Sequence, residues 1–172
     1  MKVKSGTYRR AVVFRSLTIK FPRTRLLKAL KNLWDYRKRP KWLLKFLTRG
    51  SDYQWSVQWA ILRGVFDNWR EHQFYKSQGF PILAPSLFSL FGIVNVQRTA
   101  QEIQMEDVDL WVQFHQITGG AVWKNSHVFA EKRNFGILDG KLVIVDYGSR
   151  RTQEILKEYH EKMSQEFDFG FS

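Results

Sequence analysis

The chain contains no cysteine, which excludes a disulfide framework and any thiolate metal centre. It has no apolar run approaching the roughly 20 residues that a membrane-spanning helix needs. Residues 1–15 carry scattered charge and no apolar stretch, so they do not read as a secretory leader. There is no internal repeat and no low-complexity tract. Negative charge is scarce in one place: residues 1–49 hold one acid, Asp35, against sixteen Lys and Arg, whereas the rest of the chain holds twelve basic and fifteen acidic residues. The net charge of +12 therefore belongs to the N-terminal third, and it points to an anionic partner there. Large rings are plentiful, with seven Trp and fourteen Phe in a chain that is 44% apolar. That is enough to build a core for one domain of 172 residues. These bounds predict a single globular domain, cytoplasmic or peripheral at a membrane surface.

Hydrophobic periodicity supplies the elements. Residues 11–21, rich in β-branched and aromatic side chains, predict two short strands or one bent strand, ended by Pro22. Residues 24–36 predict a helix with Leu26, Leu27, Leu30, Leu33 and Trp34 on one apolar stripe. Pro40 breaks it, and residues 41–48 continue as a turn or two of helix. A longer helix is predicted over 54–76, with Trp55, Trp59, Leu62, Phe66 and Trp69 recurring at spacings of four and three; Gly79 and Pro81 follow as stop signals. Two strands are predicted within 82–97, and a helix over 106–118 whose first turn carries Glu106 and Asp107. Asp139-Gly140 between two apolar runs is a hairpin signal. Residues 152–167 predict a closing helix. Strands, helices, strands, helix, hairpin, helix is an α+β order rather than an alternating one.

The candidate chemistry lies at the C-terminal hairpin. Leu142-Val143-Ile144-Val145 ends in Asp146, an acid at a strand end where a hard cation could be held against phosphate oxygens. Tyr147 and Gly148 follow, and Gly148 is expected to let the backbone turn away. His127 and Asn134 stand seven apart, and a tight hairpin after Asn134 would bring it beside Asp146.

Here the sequence resembles the protein-kinase superfamily. His127 and Asn134 are spaced as in the catalytic loop H-R-D-x-x-x-x-N, and Asp146-Tyr147-Gly148 is similar to D-F-G. Leu17-Thr18-Ile19-Lys20 looks like the V-A-I-K strand, and Glu71 lies on the long helix where the partner of that lysine belongs. Residues 63–85 also resemble the small lipopolysaccharide-core sugar kinases, with an acid-bearing helix and then Gln78-Gly79-Phe80-Pro81. The resemblance covers about residues 10–150. It implies a reduced two-lobed kinase-like fold: residues 1–97 as an N-terminal lobe with a basic helical insertion at 23–49, and residues 98–172 as a shortened C-terminal lobe. It implies ATP and Mg²⁺ as ligands. Lys20, Glu71, Asn134, Asp146 and Gly148 would form the nucleotide-phosphate site, with Asn134 and Asp146 on the metal. Residues 88–96 would form the strand and hinge at the adenine, with Phe91 there. The position of the catalytic-loop Asp is Phe129, which cannot accept a proton. Glu131 is the substitute candidate, with His127 beside it. There is no glycine-rich loop and little chain after Gly148. A small phosphotransferase and a degenerate pseudokinase acting through a partner are both expected from these departures. Asp168-Phe169-Gly170 also spells D-F-G, but no strand precedes it.

The basic segment 23–49 carries Arg25, Lys28, Lys31, Arg37, Lys38, Arg39, Lys41 and Lys45 as candidate partner-binding residues. They suit a solvated helix face, nucleic-acid phosphates, an anionic membrane surface reached with Trp34 and Trp42, or an acidic protein. The rival to the kinase-like reading is a basic regulator of nucleic acid or protein, of a viral or accessory kind, with no nucleotide site.

Overall fold

The structure is a computed structural model that describes residues 1–6, 8–24, 26–48 and 56–167, without the side chains of 26, 28 and 57–60. The N-terminal half is built on a five-stranded antiparallel sheet: β1 (Lys2–Ser5), β2 (Arg9–Val13), β3 (Leu17–Pro22), β4 (Ser86–Leu90) and β5 (Val94–Arg98), in the order β1-β2-β3-β5-β4. The strands expected within 11–21 and 82–97 are β2 and β3, and β4 and β5. The first strand, β1, is short and exposed and lacks the apolar alternation that marks a half-buried strand.

Among the described residues, three helices lie in the connection from β3 to β4: α1 (Leu26–Tyr36), α2 (Pro40–Thr48) and α3 (Val57–Gln78). Pro40 starts α2, where its missing N–H costs nothing. The helix α3 packs against β3, β4 and β5. The face it buries is Gly64, Asp67, Asn68, Glu71 and Phe74, one helical face by its spacing of three and four. Of the expected apolar stripe, Leu62 and Trp69 are exposed and Phe66 is half-buried, while Trp55 and the Trp59 side chain lie outside the described residues. Gly64 allows the close approach: a Cβ there would lie 2.3 Å from the backbone oxygen of Tyr8. The helix α1 is turned in the same unexpected sense. Ala29 and Asn32 face inward, whereas Leu27 is 85% and Trp34 66% exposed, with Leu30 beside them.

The second half holds α4 (Asp107–Ile117), the one-turn helix α5 (Ser126–Phe129), the hairpin β6 (Phe135–Leu138) with β7 (Lys141–Ile144), and α6 (Arg150–Glu166). Asp139 and Gly140 turn the hairpin with φ of 52° and 77°, the double positive φ of the tight turn that their sequence predicts. Around it lies the main core, with Leu110, Phe114, Phe129, Phe135, Ile144, Tyr147, Leu156 and Met163 buried. The halves are stitched by backbone bonds. Ile144 N–H donates to the Ile82 carbonyl (2.8 Å), Ala84 N–H donates to the Ile144 carbonyl (3.0 Å), and Gln101 and Ile137 exchange bonds at 2.8 and 2.9 Å. The Tyr147 hydroxyl donates to the Ala84 carbonyl at 2.7 Å.

Candidate functional site

The register of β2 against β3 pairs Ala11 with Lys20 and Val13 with Thr18, so Arg9, Ala11, Val13, Thr18 and Lys20 share one sheet face. This face roofs a cleft of about 530 Å³, and the residues around α5 and the segment after β7 form the other wall. The size is that of a small-ligand site.

Lys20 is buried. Its ammonium donates to Glu71 Oε1 at 2.5 Å and to the Val145 carbonyl at 2.5 Å. Glu71 is fully buried and accepts from two more donors, Asn95 Nδ2 at 2.9 Å and Arg9 at 2.8 Å. Behind it Ser86 donates to Asn95 Oδ1 at 2.7 Å, and His72 Nδ1 lies 3.1 Å from the same Ser86 hydroxyl. This chain of bonds fixes the carboxylate, which in turn aims the lysine. Asn68 braces the arrangement by donating to the Gly92 carbonyl at 3.0 Å.

Arg9 connects the two walls. Its guanidinium donates to Glu71 Oε2 at 2.8 Å, to Asn68 Oδ1 at 3.2 Å, and to Asp146 Oδ1. Asp146 stands at the end of the hairpin with its side chain 43% exposed toward the cleft. Burial pushes its carboxyl upward, but Arg9 and then Lys20 outweigh burial and hold its pKa below the usual range. Burial alone would lower the Arg9 pKa; Asp146, Glu71 and Asp67 override it and raise it. Burial also lowers the Lys20 pKa, against the pull of Glu71 and with the help of Arg9. Burial raises that of Asp67. Three cations, Arg9, Lys20 and Arg63, thus meet three carboxyls, Asp67, Glu71 and Asp146, along this part of the cleft.

Of the residues singled out from sequence, Lys20, His127, Glu131, Asn134 and Asp146 line the cleft. Glu71 lies directly behind Lys20. Asn134 and Asp146 are neighbours through the Val145 N–H, which donates to the Asn134 carbonyl at 2.8 Å, while the Asn134 side-chain amide donates to the Val128 carbonyl at 3.0 Å. Gly148 is needed for a different reason from the one expected: a Cβ there would come within 2.5 Å of the Asp67 oxygen, so it lets the chain pass close under α3. Phe91 is not at the cleft. It sits in the β4–β5 turn, 71% exposed, because residues 88–96 form a hairpin at the sheet's far edge. The segment that runs along the cleft is 99–102, where Thr99, Ala100 and Glu102 contribute to its lining. Lys2 and Lys4 both pair with Glu102, at 2.9 and 2.8 Å, and hold its carboxyl down at about 2.

Phe129 is fully buried and packs edge-on to Phe114, ring centroids 5.3 Å apart. Its side chain belongs to the core and not to the cleft. Glu131 is on the cleft wall, held by Arg133 at 2.5 Å, and His127 is exposed beside it.

The basic residues Lys31, Arg37, Lys38, Arg39, Lys41 and Lys45 are exposed on α1, α2 and their connection. Arg37 stacks 3.6 Å over the Trp34 ring, and Lys45 lies 5.2 Å from that of Trp42. Arg25, the Lys28 side chain and Asp168-Phe169-Gly170 lie outside the described residues.

The residues around Asp146 do not fit a divalent cation in this arrangement. One carboxylate oxygen is taken by Arg9, and among the described residues no three His, Cys, Asp or Glu cluster as a ligand set. Arg9, Asn68 and Asn95 had no role in the sequence reading. The only signal for Arg9 was its period-two placement on the face that Lys20 occupies. The chain matches no protein-family model, no curated protein and no solved structure.

Proposed function

We propose that the chain is a small kinase-like protein whose cleft binds the phosphates of a nucleotide. The observation that carries this reading is the Lys20–Glu71 pair, held over the same cleft into which Asp146 projects from the opposite wall. A buried ammonium, oriented by a carboxylate that is itself fixed by two other donors, is a preorganised partner for phosphate oxygens. The order of parts supports the reading as well: a lysine on the third strand, its acid on the following long helix, and the Asn134–Asp146 hairpin after that. Binding without catalysis is the better supported form. Position 129 is buried in the core, and Glu131, the remaining candidate base, is engaged by Arg133. The test is thermal unfolding of the full chain with and without ATP, since a ligand of the native state raises its melting temperature. The account expects a rise that is lost in Lys20→Met; no rise at millimolar ATP would overturn it.

A second reading concerns α1 and α2, and it rests on the outward apolar stripe. Leu27, Leu30 and Trp34 on α1, with Trp42, Leu44 and Leu47 on α2, are exposed among the basic residues. Nucleic-acid phosphates have no use for exposed leucines, whereas an anionic lipid surface takes both the charges and the apolar side chains. We propose that this hairpin rests on such a surface. Co-sedimentation should occur with vesicles containing phosphatidylglycerol and not with phosphatidylcholine alone, and Lys38→Glu with Lys41→Glu should weaken it at least tenfold. Salt-sensitive retention of RNA or DNA without vesicle binding would replace this reading with the nucleic-acid one.

A further inference from the structure

The guanidinium of Arg9 stands where the kinase-like reading would put a metal ion. It lies between the two walls, on the carboxylate of Asp146, and is only 12% exposed. Three of its five N–H donors are engaged by Asp146, Glu71 and Asn68. The strand β2 fixes its root, and α3, brought close by Gly64, supplies two of its partners. It is therefore a built feature of the site rather than a surface side chain that happens to reach inward.

A divalent cation at Asp146 would have to share the carboxylate with Arg9 or expel it. Sharing sets two positive charges beside a guanidinium and the Lys20 ammonium in a partly desolvated site, where like charges repel strongly. Expulsion breaks three charge-assisted bonds, two of them to carboxylates, and leaves Glu71 with less compensation in the interior. Neither is required if the guanidinium itself does the cation's work. Arg9 carries a permanent charge and retains two N–H donors for phosphate oxygens, next to the Lys20 ammonium.

Resting on the nucleotide-binding reading, we propose that Arg9 substitutes for the divalent ion, so that the cleft takes a nucleoside polyphosphate as the metal-free anion. Lys20 and Arg9 face the phosphates together, and Asp146 anchors Arg9 instead of a metal.

The experiment is titration of the full-length chain with ATP, in EDTA and again in excess Mg²⁺, followed by tryptophan fluorescence or calorimetry. The expected result is binding in EDTA at least as tight as in Mg²⁺. In Arg9→Gln the affinity in EDTA should fall at least tenfold, while added Mg²⁺ restores part of it. Arg9→Lys, which keeps a cation at the site, should retain binding in EDTA and serves if the Gln variant does not fold. Wild-type binding that is more than tenfold weaker in EDTA than in Mg²⁺ overturns the substitution while leaving the nucleotide site standing. Failure to bind ATP in either buffer overturns both.

Discussion

Glu71 is the residue on which the site's electrostatics turn. It is wholly buried and serves Lys20, Arg9 and Asn95 at once. Removing it would leave the buried Lys20 without its anion and Arg9 with Asp146 as its remaining carboxylate partner in the cluster, and breaking a buried pair in this way costs about 3–5 kcal/mol. Glu71→Ala should therefore lower unfolding stability by that amount in denaturant titration, and a loss below about 1 kcal/mol would show that the cluster is not formed in solution. Phe129 poses the opposite question. An acid there, as in Phe129→Asp, would match the kinase motif that the sequence resembles, but the side chain faces Phe114 and Phe135. The expected outcome is a destabilised protein with no gain of phosphotransfer, because a carboxylate buried without a partner is costly. Lys20 and Glu71 were legible in the sequence through the resemblance of Leu17-Thr18-Ile19-Lys20 to the V-A-I-K strand and the place of Glu71 on the long helix that follows. Arg9 was not, since its role depends on strand register and on how close α3 comes, and neither is written in local pattern.

At the scale of elements, α1 and α3 present the same inversion. Period 3.6 found both helices, but Leu27, Leu30 and Trp34 of one stripe and Leu62 and Trp69 of the other turn outward, where apolar stripes ordinarily turn inward. In α3 the buried face is polar: Asp67 pairs with Arg63, Asn68 donates to the Gly92 carbonyl, and Glu71 accepts from Lys20, Arg9 and Asn95. In α1 the small Ala29 faces inward with Leu33 packed beside it, while Leu27 and Leu30 remain outside. Leu30→Ser with Trp34→Ser should accordingly change unfolding stability by no more than about 0.5 kcal/mol per site, while reducing vesicle binding. A loss of several kcal/mol would mean that this face is covered in the folded protein. The turn of the β6–β7 hairpin was legible to the residue, as it needs positive φ at two positions and Asp-Gly supplies them. The strand β1 and the one-turn helix α5 are too short to carry a period.

Across the whole molecule, the cleft cluster is also a clasp between halves. Arg9 to Asp146 and Lys20 to the Val145 carbonyl add charge-assisted bonds to the backbone stitches at Ile144 and Gln101. The clasp depends on Asp146 being ionised. Its pKa is depressed in the folded state from an ordinary value of 3.8, so its contribution is complete above that value and is lost as pH falls through the folded one. The stability gap between wild type and Asp146→Asn should be constant above about pH 5 and should shrink below pH 4. A gap that widens on acidification would contradict the assignment.

Hydrogen exchange on the full chain with and without saturating ATP is the most direct measurement of the central claim. The account predicts slowed exchange confined to β2, β3, the middle of α3 and the segment from β7 to Gly148, with α1 and α2 unchanged. No protection in those segments, or protection only on the basic helices, would contradict it.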